Sequence, residues 1–106
     1  MQQTVIVSVQ IGDVLGPSAL SAEELARSCG VELAWVRDRV ESGVLQLDSA
    51  SGAWRFDSVT LVRARRLVAL ETTFDADPQL AALTADLIEE VARLKRRLVA
   101  LGFEQA

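Results

Sequence analysis

Hydrophobic positions near the start of the chain alternate with polar ones. Over residues 4–11 every second place is apolar, at Val5, Val7, Val9 and Ile11. A period of two with β-branched residues is typical of a strand with one buried face. Residues 12–19 contain a Gly-Pro-Ser turn signal and are expected to form a loop. We therefore expect an N-terminal strand and loop over residues 1–19.

From residue 20 onward the spacing of apolar residues becomes helical. Ser21 and Glu24 stand three apart before an apolar run, which is the pattern of a capping box at a helix start. Gly30 is expected to end that helix, because glycine adopts the left-handed conformation at little cost. A second helix is predicted over residues 32–42 and is closed by Gly43. Two short helices joined by a tight glycine turn form a helix-turn-helix unit.

A small β-hairpin, or wing, is predicted after the second helix. Residues 44–48 and 53–56 are apolar-rich and flank a Ser-Ala-Ser-Gly turn. Trp54 and Phe56 are expected to pack in the core and to hold this wing on a third helix. Asp57 is expected to cap that third helix, which is predicted to run to about residue 72.

The last predicted helix carries a seven-residue repeat. It begins at Asp77 and Pro78, an N-cap followed by proline at the first helical position, and runs to residue 101. Leucine recurs every seven residues, with mostly apolar residues four places later, as in a coiled coil. The expected dimerisation residues are Leu87, Val91, Leu94, Leu98 and Leu101. The alternative is an amphipathic helix that packs on its own domain.

Composition argues against an enzyme or a metal protein. The chain of 106 residues has no histidine and one cysteine, Cys29. Zinc sites use mainly Cys and His ligands, and Ser–His or Cys–His nucleophile pairs need a histidine. Adjacent acids such as Glu89 and Glu90 point about 100° apart on a helix and do not converge on one substrate. We expect no catalytic residues, no metal and no cofactor.

The chain has no run of about 20 apolar residues that would span a membrane. The apolar segment near its start is short and lacks the basic flank of a signal peptide. We expect a soluble, cytoplasmic protein without a membrane partner.

Charge is distributed unevenly between the two halves. Residues 1–57 contain eight acidic residues and four arginines, whereas residues 58–106 contain seven charges of each sign. Duplex DNA is a polyanion, and much of its affinity for proteins comes from lysine and arginine. A helix-turn-helix in an acidic half is better suited to a protein with a basic surface.

The chain from residue 20 onward resembles the MerR-like winged helix-turn-helix family. The residues that carry this resemblance are Glu24-Leu25-Ala26, Gly30-Val31, Val36-Arg37 and Gly43-Val44-Leu45. It more narrowly resembles the CbpM-type chaperone modulators, over about residues 20–102. That resemblance is carried by Trp54-Arg55-Phe56-Asp57, Leu61, Arg63, Arg65-Arg66, Leu70, Phe74-Asp75, Leu83, Asp86-Leu87-Ile88 and Leu94.

The resemblance implies a mainly α fold with a small β wing, in which a long C-terminal dimerisation helix follows a MerR-like winged helix-turn-helix. The expected domains are residues 20–74 for the winged helix-turn-helix and 75–106 for the coiled-coil-like helix. CbpM-type modulators bind the J domain of a DnaJ-like co-chaperone and inhibit its work with Hsp70. J domains present a basic helix, so the expected partner-binding residues are Glu32, Trp35, Asp38 and Glu41.

The alternative is a dimeric MerR-like transcriptional regulator. It would bind operator DNA through Arg37, Arg39 and Arg55. MerR-type regulators usually place a small polar residue and an aromatic residue beside the arginine of the second helix, where this chain has Trp35 and Asp38. An aspartate on the groove-facing side would meet phosphate with like charge. DNA is therefore the less expected partner.

Overall fold

The computed structural model describes residues 20–48 and 52–103, and over these ranges the chain is mainly helical. The four helices of the described residues are α1 (Ala22–Cys29), α2 (Leu33–Glu41), α3 (Ser58–Thr73) and α4 (Pro78–Ala100). The predicted N-terminal strand lies outside the described residues. The chain divides into two compact units, residues 1–68 and 69–106, and the division falls within α3.

The predicted start and end signals of α1 are confirmed. The Ser21 hydroxyl accepts a hydrogen bond from the Glu24 amide at 3.1 Å, and the Glu24 carboxylate accepts one from the Ser21 amide at 2.8 Å. These reciprocal bonds satisfy two amide groups that a helix start leaves without partners. Gly30 ends the helix at φ 71°, in the left-handed region that favours glycine. The prediction from local sequence therefore holds at both ends of α1.

The cap signals of α3 and α4 are confirmed in the same way. Asp57 accepts a hydrogen bond from the Thr60 amide at 2.8 Å, and Asp77 accepts one from the Leu80 amide at 2.7 Å. Pro78 stands at the first position of α4, where a missing amide hydrogen costs nothing. At about 1.5 Å per residue the 23 residues of α4 span about 35 Å, enough for three heptads.

The predicted wing hairpin is not formed over the described residues, which contain no β-strand. Phe56 instead pairs with Leu20 in an isolated antiparallel bridge, through N···O contacts of 2.9 and 3.1 Å. One hydrogen bond, from the Asp48 amide to the Arg55 carbonyl at 3.0 Å, joins the two arms of the predicted hairpin.

The core of the first unit is built from all three of its helices and the segment before α3. Leu25, Val36 and Phe56 are fully buried. Trp54 is half-buried, and its ring meets that of Phe56 edge to face at a centroid distance of 6.5 Å. The prediction of a core position is thus confirmed for Phe56, whereas Trp54 lies at the margin of the core. The remaining buried apolar residues of this unit are Ala26, Leu45, Leu61, Ala64 and Leu67.

In the second unit, burial in α4 falls on small residues near its start, Ala81 and Ala85. Farther along, the helix is charged in two blocks: Asp86, Glu89 and Glu90 precede Arg93, Lys95, Arg96 and Arg97. Arg93 donates two hydrogen bonds to Glu90, at 3.0 and 2.6 Å. This pair spans three residues, a spacing at which helix side chains are neighbours.

Candidate functional site

Helix α2 carries all four residues predicted to bind a partner protein. Glu32 is the N-cap residue of the helix and is exposed. Asp38 and Glu41 are also exposed and stand three residues apart, so that they are neighbours on the helix surface. Trp35 is half-buried, at the edge between this surface and the core. The helix therefore presents acidic groups beside one large aromatic residue.

Two of these residues are joined by Arg39 into a cluster, which we call the Trp35–Arg39–Asp38 cluster. The guanidinium carbon of Arg39 lies 4.6 Å from the centroid of the Trp35 ring. The same group donates a hydrogen bond from Nη1 to Oδ2 of Asp38, at 2.6 Å. A cation over an aromatic face is held by the ring quadrupole, and a desolvated contact of this kind contributes about 2 kcal/mol.

Arg39, one of the three DNA-binding candidates, is buried, with 7% of its surface exposed. A buried charge needs compensation, which the Trp35 ring and the Asp38 carboxylate supply. A DNA backbone could not reach this guanidinium group without breaking both contacts. The side chain of Asp38 is 65% exposed, so the negative group of this ion pair faces solvent.

The sequence contains a signal for this cluster. Trp35 and Arg39 are four residues apart on a helix, a spacing that brings side chains together. The turn after α2 also helps to fix the backbone of Arg39. The amides of Val44 and Leu45 both donate to the Arg39 carbonyl, at 2.9 and 3.1 Å. Arg63 donates from Nε to the Val44 carbonyl at 2.8 Å, which ties α3 to the same turn.

The other two DNA-binding candidates are both exposed. Arg37 lies on α2 and Arg55 precedes α3, and the two line one open cleft of about 450 Å³ at the start of α1. The three candidate arginines are therefore separated into two environments, with one buried beside Trp35 and two at the cleft.

Four of the five predicted dimerisation residues are exposed, three of them on α4 and Leu101 at its C-cap. Their exposed fractions are substantial for large apolar side chains: 57% for Leu87, 50% for Val91, 45% for Leu94 and 66% for Leu101. Leu98 is half-buried. Single exposed apolar residues are common, whereas several at regular spacing form an apolar patch.

Two features of the described residues bear on other kinds of site. No group of three or more Cys, Asp and Glu side chains there is placed to hold a metal ion. No helix in residues 20–48 and 52–103 is long and apolar enough to cross a membrane. Cys29 is half-buried at the end of α1, and burial raises the pKa of its thiol despite the nearby charge of Arg65.

Comparison of the chain with family models, with curated proteins and with solved structures finds no match.

Proposed function

We propose that this protein is a non-enzymatic chaperone modulator. Its helix-turn-helix unit would be MerR-like, would bind the J domain of a DnaJ-like co-chaperone and would restrain its work with Hsp70. This proposal rests on the resemblance to CbpM-type modulators and on the chemistry of α2. The acids Glu32, Asp38 and Glu41 would face the basic helix of the J domain, with Trp35 as an apolar anchor.

The observation that carries the proposal is the burial of Arg39. The guanidinium group of Arg39 contacts both Trp35 and Asp38 and is removed from the surface. The exposed groups of α2 near that cluster then include the acids Asp38 and Glu41. Such a surface would repel phosphate and attract a basic protein. Trp35 would contribute the desolvated contact on which affinity depends, because tryptophan is enriched among residues that dominate binding energy.

Dimerisation through α4 belongs to the same proposal. The exposed stripe of Leu87, Val91 and Leu94 would be covered by the same stripe of a second copy. A homodimer would present two α2 surfaces, so that one assembly could engage two J domains.

A MerR-like DNA-binding regulator is the second candidate. It is favoured by the exposure of Arg37 and Arg55 in one cleft. The burial of Arg39 weighs against it, because only two of the three candidate arginines are then accessible, and two arginines neutralise few phosphates.

Titration of the full chain with a purified J domain tests the first candidate. We expect Trp35→Ala to weaken binding about thirtyfold, the effect of losing an interface anchor worth about 2 kcal/mol. Glu41→Lys should slow association roughly tenfold at low salt, because complementary charge accelerates encounter. Isothermal calorimetry measures the first change and stopped-flow fluorescence the second.

Asp86→Lys is the matched control for charge, because it reverses an exposed acid of α4 far from α2 in the sequence. Trp35→Phe controls for folding, since a phenylalanine ring still supports the Arg39 guanidinium group. If Trp35→Ala and Glu41→Lys fold and bind the J domain like the parent, α2 is not the binding surface. Failure of the parent chain to bind any J domain would end the proposed function itself.

A further inference from the structure

Three separate segments of the first unit line the open cleft at the start of α1. The first turn of α1 contributes Glu23, α2 contributes Leu33 and Arg37, and the segment before α3 contributes Trp54 and Arg55. Its volume of about 450 Å³ lies within the range of ordinary ligand pockets. The cleft therefore combines two cations, one acid and an apolar wall in a space that fits a few side chains.

The two arginines are available to a ligand. Within residues 20–48 and 52–103, neither guanidinium group makes a hydrogen bond or an ion pair. The hydrogen bond with the Ser21 backbone lowers the pKa of Glu24, and the nearby charges of Arg27 and Arg55 act in the same direction. Glu24 attracts Arg55 by charge, while the hydrogen bond that its carboxylate accepts is the one from the Ser21 amide.

The apolar wall is held in place by the core. Trp54 is half-buried and packs edge to face on Phe56, which is fully buried. A ring fixed in this way loses little freedom when a ligand packs on it, which favours binding. Leu33 extends the apolar surface on the side of α2, one turn before Arg37.

Guanidinium groups are matched to carboxylates, with which they form forked, charge-assisted hydrogen bonds. The surroundings of the cleft decide between a protein ligand and a nucleic acid. Glu23 lies on its rim, Glu24, Glu32 and Glu41 are exposed on the same two helices, and Arg39 is buried. Successive phosphates of a nucleic acid would meet these acids, whereas a single carboxylate beside an apolar side chain would not.

We propose that this cleft binds a short acidic segment of a partner protein. A carboxylate of the segment accepts hydrogen bonds from the guanidinium groups of Arg37 and Arg55, and an adjacent apolar side chain packs on Trp54. The site is distinct from the acidic residues of α2 that serve the proposed function, and it stands whether or not the chain binds a J domain.

The probe for the test is the capped peptide acetyl-Ala-Glu-Leu-Glu-Ala-amide, titrated into the isotope-labelled full chain and followed by NMR. We expect shifts of the Trp54 indole and of the Arg37 and Arg55 side-chain resonances. The counterpart with both glutamates replaced by glutamine should bind at least about tenfold more weakly, because a charge-assisted hydrogen bond contributes about 1.5–3 kcal/mol. Equal binding of the two peptides would overturn the proposal.

Variants of the two arginines locate the site. Arg37→Glu and Arg55→Glu should each weaken the acidic peptide about tenfold or more. Arg27→Glu is the matched control, because it makes the same charge change at an exposed position of α1 outside the cleft lining. An equal loss in Arg27→Glu would mean general electrostatic attraction and would refute a specific site.

Titration with a DNA duplex of about 15 base pairs tests whether the cleft prefers a nucleic acid to an acidic peptide. We expect it to bind no more tightly than the peptide at physiological salt, because few cations are available to phosphate. Tight duplex binding that falls steeply with salt and disappears in Arg37→Glu would assign the cleft to nucleic acid and overturn the peptide proposal. Circular dichroism of every variant establishes that the helices are intact.

Discussion

Arg39 is the residue whose environment differs most from what its type suggests. Arginine is rarely buried unless it is paired, and the sequence predicts Arg39, with Arg37 and Arg55, as a possible DNA contact. The structure places it under Trp35 and beside Asp38, with 7% of its surface exposed. The neighbouring segments decide which positions of a helix face the core. Local spacing alone therefore did not predict that Arg39 is buried.

At the same scale, the capping box of α1 makes stability depend on pH. The hydrogen bond with the Ser21 backbone lowers the pKa of Glu24 below its ordinary value of 4.5. A carboxyl group whose pKa is lowered on folding stabilises the protein above its unfolded pKa, and this stabilisation is lost as the pH falls through the folded pKa. We therefore expect the parent to lose more stability between pH 5 and pH 3 than Glu24→Gln does, as measured by urea unfolding.

Glu23→Gln is the control for this prediction, because it removes a charge from the same turn without touching the box. Ser21→Ala should lower the free energy of unfolding by about 1 kcal/mol, the usual effect of losing an N-cap. A parent and a Glu24→Gln variant with parallel pH profiles would contradict the assigned role of Glu24.

At the scale of elements, local signals were sufficient for the helices and insufficient for the wing. Ser21, Asp57 and Asp77 each cap a helix within three residues, and Gly30 ends α1 by its own conformation. A strand needs a partner that the sequence does not specify. Phe56 pairs with Leu20, which lies 36 positions earlier in the chain. The hairpin predicted from the turn residues is not formed over the described residues.

Helix α4 provides the test of self-association. Leu94→Lys would place a charge in the proposed seam without a partner, which is strongly unfavourable in a buried contact. We expect the parent to sediment as a dimer at tens of micromolar and the variant to sediment as a monomer. Val99→Lys is the matched control, because Val99 is as exposed on the same helix but lies outside the heptad stripe.

A monomeric parent under these conditions would exclude dimerisation through α4. Equal dissociation by Leu94→Lys and Val99→Lys would mean that the association uses a different face of the helix.

At the scale of the whole molecule, the balance of charge opposes binding to DNA. Residues 1–57 carry eight acids against four arginines, and one of those arginines is buried. Neutralising phosphates is the main source of non-specific affinity, so we expect binding to duplex DNA to be weak or absent near physiological salt. Fluorescence anisotropy over a salt series measures this. Nanomolar affinity with a steep salt dependence would contradict it.

The functional surfaces were less accessible to sequence reasoning than the helices. Asp38 and Glu41 stand three residues apart on α2, and Leu87, Val91 and Leu94 follow the heptad spacing on α4, so spacing within one helix is enough to predict each of these surfaces. The cleft brings together Glu23, Arg37 and Arg55 from three segments, and no spacing in the sequence links them. Its existence depends on how α1, α2 and the segment before α3 pack.

The single cysteine of the chain has a practical consequence for kinetics. Cys29 is half-buried at the last turn of α1, and burial raises the pKa of its thiol, so the reactive thiolate is scarce while that turn is closed. Local opening of the turn removes this burial, so a thiol reagent reacts faster with the open form than with the closed one. Cys29 is the only cysteine in the sequence, so no other thiol competes for the reagent. The rate at which the intact protein is modified therefore reports how often the last turn of α1 opens.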